Sequence, residues 1–286
     1  MKIGIIGAGR VGCSIGKYIT VNSDLDTITG FYNRGYEKAV VAANFCNTKA
    51  FKSLSDLVMS SDTLFITTQD EQIPMVWDCI DKGLIKNKII CHFSGSISSD
   101  VFTSIGDYDA YPGSIHPVYA FSSRFDSYKG IKNIFFTIEG HPIFLDRISQ
   151  SFSHNGNIIC SIDKEKKSLY HASLSMASNH LIGLLGASAE ILRECGFSES
   201  SAYEILKPLM LNNLAYALEN GVEKALTGPI ERGDCNTVKK HLRVLNSKQM
   251  GIYKSLGMEI LNIAVQKNQY KPVVQTYSEI EKELLN

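Results

Sequence analysis

The sequence predicts an α/β fold: a doubly wound, mostly parallel sheet followed by an all-α C-terminal domain. Three observations predict it. Up to about Ile162, short apolar runs alternate with helix-like segments. Several of those runs are continuously apolar rather than alternating, as expected of strands buried on both faces of a parallel sheet. Beyond Ile162 strand-like runs disappear and helical periodicity takes over. Strand, helix and strand at this spacing imply crossover units.

The strand-like runs are Lys2–Gly7, Thr27–Tyr32, Thr63–Thr68, Lys88–Phe93, Ser114–Pro117, Ile134–Ile138 and Ile158–Ile162, with helical patterns such as Arg10–Val21 and Asp70–Lys82 between them. Asp163 can cap a helix running to about Cys195, where Gly196 stops it. Ser201-Ala-Tyr-Glu204 has the form of a capping box, and Gly221 is a natural terminator. Asp234 can cap a further helix, Ser247 onwards continues helical to about Lys267, and Thr276-Tyr-Ser-Glu279 opens a last one. The predicted division is 1–162 and 163–286. No Pro/Gly/Ser linker separates the halves, so a tight interface with a ligand cleft is expected there.

The 286 residues are 44% hydrophobic and carry 29 basic and 29 acidic side chains, which excludes a disordered chain and gives no charge to attract nucleic acid. No apolar stretch reaches the roughly 20 residues of a membrane span, and the chain opens into a strand-like run rather than a signal peptide. Seven scattered cysteines without a C-x-x-C suggest reduced thiols in a cytoplasmic protein, with neither a disulfide framework nor a metal site.

Gly7-Ala-Gly9-Arg-Val-Gly12 lies between an apolar strand and a helical run, the context that gives the G-x-G-x-x-G pattern its meaning. Gly7 permits the turn, Gly9 lets the backbone approach a pyrophosphate, and Gly12 lets the helix pack on the strand. The helix N-terminus, including Arg10 and Val11, then faces the anion. This makes the first domain Rossmann-type. An NAD site usually has an acid at the end of the second strand, but here Thr27–Tyr32 ends in Asn33-Arg34. Arg34 can present a planar fork to a ribose 2′-phosphate, with Arg10 adding charge, so NADP is favoured over NAD. The alternative is an Arg34 that is simply solvated.

Three further loops fall at carboxyl ends of strands, where ligands bind such sheets. They are Thr67-Thr68-Gln69-Asp70, His92-Phe-Ser94-Gly95-Ser96 and Ser114-Ile-His116-Pro117. Thr68, Asp70 and Ser94 are assigned to the cofactor, although Asp70 serves equally as a helix cap. His116 is a candidate acid, with a structural histidine as the alternative. On the first long helix, Tyr170, Leu174, Ala177, Leu181 and Leu184–Leu185 form an apolar stripe. His171, Ser175 and Asn179 recur at i, i+4 and i+8 on another face. In Leu226-Thr-Gly-Pro-Ile-Glu-Arg-Gly-Asp234, Gly228-Pro229 breaks helix and Arg232 offers an anion contact.

With these residues in hand, the chain resembles a family of bacterial proteins that join a Rossmann-like domain to a helical C-terminal domain and are described as NADP-dependent oxidoreductases. The shared motifs are Gly7–Gly12, Asn33-Arg34, His92-Phe-Ser-Gly95, Ser114-Ile-His-Pro117, Tyr170-His171 with Ser178-Asn179, and Leu226–Asp234 continuing to Thr237 and His241. More distantly it is similar to pyrroline-5-carboxylate reductase, ketopantoate reductase and the β-hydroxyacid dehydrogenases. That resemblance implies a helical half of the 6-phosphogluconate dehydrogenase C-terminal-like kind. Members of the last two groups place a catalytic Lys, with Asn one turn later, on the first helix after the Rossmann domain. Here His171 and Ser175 align with those positions, and Lys167 lies one turn earlier.

The expectation is therefore a cytoplasmic NADP(H)-dependent oxidoreductase moving a hydride to or from a small carbonyl or imine compound. Its catalytic candidates are His171, Asn179 and His116. Because the usual Lys is missing, the alternative is an NADP(H)-binding sensor without turnover; a deazaflavin reductase is a third option. Neither nucleic acid nor membrane is expected as a partner. The apolar Leu206–Leu218 and Met258–Val265 segments suggest a homodimer through the helical domain. The resemblance adds that Arg232 or Asp234 would complete the cleft from the partner chain.

Overall fold

The structure is a computed structural model that describes residues 1–270 and 272–286. The chain forms two compact units, Met1–Ser175 and Met176–Asn286.

The first unit is built on eight strands: β1 (Lys2–Ile6), β2 (Thr27–Tyr32), β3 (Lys49–Phe51), β4 (Thr63–Ile66), β5 (Ile89–His92), β6 (Tyr111–Pro117), β7 (Phe135–Gly140) and β8 (Ile158–Ser161). They lie in the order β3-β2-β1-β4-β5-β6-β7-β8, every neighbouring pair parallel except β6 with β7. The sequence runs reverse direction between β1 and β4, which makes the carboxyl ends there a topological switch point. Alternation along the central strands feeds two cores. Ile3, Ile5, Phe65 and Ile115 face one, and Ile6, Leu64, Ile66 and Ile90 face the other. Helices α1 (Arg10–Asn22), α2 (Tyr36–Cys46), α3 (Leu54–Ser60), α4 (Ile73–Cys79) and α5 (Pro142–His154) cover these faces.

The strand expected from Ser114 begins at Tyr111, because Tyr111-Pro-Gly pairs with Ile89-Ile-Cys of β5 despite its lack of apolar alternation. After Asp163, whose carboxylate accepts from the Glu165 N–H, a short 3₁₀ turn leads into α6 (Lys167–Ser175). A π turn over Met176–His180 separates α6 from α7 (Leu181–Glu194), so the helix expected from Asp163 to Cys195 is not a single regular α-helix. Such turns recur at functional sites.

The second unit holds α7, α8 (Glu199–Asn220), α9 (Val222–Ala225), α10 (Cys235–Val244), α11 (Ser247–Asn268) and α12 (Val274–Leu285). Its main core gathers Ile230, Val238, Leu242, Leu261, Ala264 and Ile280. Two expected caps are corrected. The cap of α8 is Ser198, whose hydroxyl accepts from the Ser201 N–H, so Ser201 lies inside the first turn. Helix α12 starts before Thr276, whose hydroxyl donates to the Val273 carbonyl instead of capping. Asp234 caps α10 through the Thr237 N–H and hydroxyl, at 3.0 and 2.6 Å. Among the described residues, no helix is long and apolar enough to cross a membrane.

Candidate functional site

The glycine turn divides its labour as its spacing predicts. Gly7 has φ +111°, and its N–H donates to the Tyr32 carbonyl at 2.9 Å, closing the turn against β2. A Cβ at Gly12 would stand 2.3 Å from the Gly7 carbonyl oxygen and 2.5 Å from the Thr67 hydroxyl, so the helix could not approach the strand. A Cβ at Gly9 would meet nothing within 4 Å. Gly9 is thus not required for packing; it borders open space. It also precedes α1 without side-chain capping, which leaves the positive end of the helix for an anion.

Asn33 ties the end of β2 to this turn. Its side-chain oxygen accepts from the Ala8 N–H at 3.2 Å, and its amide donates to the Gly35 carbonyl at 3.1 Å. Arg34, Arg10 and Gly9 are exposed, and Val11 is half-buried. The acids before β2 are engaged elsewhere: Asp24 pairs with His154 at 2.7 Å, and Asp26 accepts from Ser151 at 2.5 Å. Neither of these two acids is therefore free at the end of β2.

At the ends of β4 and β5, Asp70 follows Gln69, which is the N-cap of the short turn Asp70–Gln72. The Asp70 carboxylate instead accepts the hydroxyls of Ser94 (2.6 Å) and Ser96 (3.2 Å), linking the two loops. The Thr68 hydroxyl is buried without a hydrogen-bond partner among the described residues. His92 is fully buried, accepting from the Ser94 N–H on Nδ1 and donating from Nε2 to the Ser98 carbonyl. Burial holds its pKa down at about 4, so it is a neutral organiser of the 92–98 loop.

The loop after β5 rests on Lys167, whose side chain is 2% exposed. Its ammonium donates to the Ser94 carbonyl at 3.3 Å and to the Ser114 hydroxyl, and lies 3.7 Å from Glu139. Glu139 in turn accepts the N–H and hydroxyl of Ser99, both at 2.8 Å. Burial lowers the Lys167 pKa while Glu139 opposes the shift. A pair this buried is strongly destabilised by removing one partner.

His116 and His171 meet beside Gly95. Their rings are 5.7 Å apart at 82°. A Cβ at Gly95 would stand 2.5 Å from His171 Cδ2 and 2.8 Å from His116 Nε2, so glycine lets both imidazoles close on the loop. His116 Nδ1 is 2.9 Å from the Tyr170 hydroxyl, which also receives the Thr137 hydroxyl at 2.9 Å. Burial depresses the His116 pKa to about 4, repulsion from His171 and Lys167 adds to this, and Asp70 opposes it. The first unit thus brings His116, His171, Ser94 and Asp70 together at one edge of the sheet. Asn179 lies in the π turn of the second unit and is exposed.

The loop Leu226–Asp234 is pinned by the second unit's own helices. Lys267 and Tyr277 donate to the Leu226 and Glu231 carbonyls at 2.7 and 2.6 Å. Arg232 is exposed. Sequence reasoning missed Thr137 and Glu139, which stand opposite His116 and Ser114 across the antiparallel β6–β7 pair. It also placed Tyr170 in an apolar stripe and in a family motif, without a role in the site.

Residues 2–93 match the family described as NADP oxidoreductase coenzyme F420-dependent, and residues 134–260 match the domain of unknown function DUF2520. The chain joins these two domains. The NADP oxidoreductase domain carries the glycine turn, Arg34, Asp70 and His92, while the DUF2520 match starts within the sheet and contributes Thr137, Lys167, Tyr170 and His171. No curated protein matches the sequence. Among solved structures, a Bacteroides fragilis protein named as an NADP oxidoreductase is similar in fold, with 21% identity and TM-score 0.69, over 91% of this chain and 98% of that one. An Aspergillus terreus reductive aminase, solved with NADPH and ethyl-5-oxohexanoate, has 14% identity and TM-score 0.68, over 91% and 93%. A Plasmodium falciparum pyrroline carboxylate reductase with NADP bound has 12% identity and TM-score 0.61, over 98% of each chain.

Proposed function

We propose that the chain is an NADP(H)-dependent oxidoreductase acting on a small carbonyl or imine compound. One observation carries the reading: an open glycine turn and a half-buried pair of imidazoles lie at the carboxyl ends of the strands of a single sheet. The names of the structural neighbours point the same way, since they include NADPH complexes of reductive aminases and an NADP complex of a pyrroline carboxylate reductase.

The residues present fit the dinucleotide. Gly7, Gly9, Arg10, Val11 and Gly12 would hold the pyrophosphate, where the space at Gly9 admits it. Asn33 shapes the turn, and Arg34 would take the 2′-phosphate. Thr68, Asp70 and Ser94 would complete the site. When bound, NADPH supplies the hydride. The protein then has to orient the substrate, stabilise charge on its oxygen or nitrogen, and supply a proton there. We assign proton donation to His171, with His116 as a substrate contact. Lys167 is enclosed behind the Ser94 loop and braces it.

Binding should favour NADP(H) over NAD(H), and Arg34→Ala should narrow the difference by about 1–3 kcal/mol. Calorimetric titration of both proteins with both cofactors checks this, and equal affinities in the unmodified protein would contradict it. NADPH consumption across a panel of aldehydes, ketones and cyclic imines tests the activity itself.

We further propose a homodimer through the helical unit. Helix α8 exposes Leu209, Leu211, Leu214, Tyr216 and Leu218, while only Ala202 and Leu206 on it are buried. Apolar patches on this scale mark interaction surfaces, and twofold pairing is the commonest way to cover them. Light scattering should give twice the 31.6 kDa of one chain. A mass of 31.6 kDa at every concentration would overturn the dimer.

A further inference from the structure

We propose that the Thr137 hydroxyl and the Tyr170 phenol act in series to fix His116 as the neutral tautomer with its proton on Nε2. That N–H then polarises the C=O or C=N group of the substrate. The donor role rests on the function proposed above, whereas the tautomer rests on geometry alone.

Thr137 pairs directly with His116 across β6 and β7, and Tyr170 reaches both from α6. The Thr137 hydroxyl has two acceptors within reach: the Tyr170 oxygen at 2.9 Å and the His116 carbonyl at 3.5 Å. The shorter contact has ordinary hydroxyl geometry, and the longer is at the limit of a hydrogen bond. With the Thr137 proton on Tyr170, the phenol's own proton has His116 Nδ1 as its acceptor at 2.9 Å. A neutral imidazole that accepts on Nδ1 carries its proton on Nε2. In the reverse order the phenol would donate to Thr137, which leaves the Thr137 proton only the 3.5 Å contact and Nε2 a bare acceptor.

Nε2 lies on the Gly95 side of the ring, beside His171 and at the carboxyl end of β6. A neutral N–H there polarises a carbonyl as a hydrogen-bond donor without transferring its proton, since transfer would create an imidazolate. Proton delivery stays with His171. Tyr170 and Thr137 are positioning residues, acting on the reaction only through His116.

Two-bond ¹H–¹⁵N correlation spectra of the full chain, labelled with ¹⁵N-histidine, test the tautomer without requiring turnover. The His116 signals are identified by their loss in His116→Gln. At neutral pH they should carry the Nε2–H pattern; an Nδ1–H pattern or an imidazolium would overturn the proposal. The titratable and charged groups facing His116 are His171, Lys167, Asp70 and Tyr170. A donor to Nδ1 favours the neutral ring, so Tyr170→Phe should raise the His116 pKa by about one pH unit. If Nδ1–H instead donates to the phenol, the same change lowers the pKa, and either a fall or no change would overturn the proposal. Thr137→Val should weaken the Nε2–H preference, and Thr137→Ser should restore it. Should a variant fail to fold, the tautomer of the unmodified protein still decides.

Turnover tests the donor role separately. Glutamine can present an amide N–H near the position of Nε2, and asparagine near that of Nδ1. His116→Gln should therefore retain at least tenfold more kcat than His116→Asn, and the opposite order would overturn the role assigned to Nε2. Absence of turnover in the unmodified protein with every compound would defeat the proposed function and with it the donor role, while the spectra would still decide the tautomer.

Discussion

Replacing Gly9 by valine is expected to abolish detectable NADP(H) binding while leaving the protein folded. The basis is the contrast among three glycines in six residues. A Cβ at Gly9 meets no atom within 4 Å, and the residue has ordinary extended torsions, so a side chain can start there on an allowed backbone. The branches of valine would occupy the space that the pyrophosphate of a dinucleotide needs. Gly12→Ala should behave in the opposite way. Its Cβ would press on the Gly7 carbonyl and the Thr67 hydroxyl, and relief requires backbone movement. Overpacking of this kind costs about 1–3 kcal/mol, which lowers Tm by several degrees. Thermal unfolding and cofactor titration of both variants separate the roles. A Gly9→Val protein that binds NADPH normally would remove the dinucleotide from this turn.

His171→Ala should depress kcat by about 10²–10⁴-fold, the range of a lost general acid, with little effect on cofactor affinity. Its imidazole borders the Gly95 loop and His116. His171 also helps hold His116 neutral, so its removal should let the His116 pKa rise from about 4. The activity loss is to be measured per folded molecule. Unchanged turnover with a lower Tm would make His171 a packing residue and direct attention to Asn179 and Lys167.

What could be read from the sequence follows from the range of the interactions concerned. Gly7, Gly9 and Gly12 act through local backbone geometry, and their roles follow from spacing alone. The central strands announce themselves because burial on both faces demands continuous apolar runs. Strand β3 has only three residues, Lys49–Phe51, too few to show a pattern. Ser201 and Thr276 have the residue types of caps, but Ser198 wins the first position, and α12 begins before the second. The site's supporting residues were harder to read because they converge from distant segments. By sequence Lys167 is only the lysine one turn before His171, yet the fold encloses it against Ser94, Ser114 and Glu139. Thr137 becomes part of the site only through the antiparallel register that sets it opposite His116.

The proposed activity is hydride transfer between a nicotinamide and a small C=O or C=N compound. Its most direct test uses NADPH deuterated at the transferable C4 position, incubated with the protein and the carbonyl and imine panel, with products read by mass spectrometry. Deuterium should appear on the former carbonyl or imine carbon of at least one product, in amounts equal to the cofactor oxidised and much reduced with His171→Ala. NADPH that binds tightly yet remains unoxidised, with no deuterated product from any compound, would contradict the account and leave a nucleotide-binding protein without turnover.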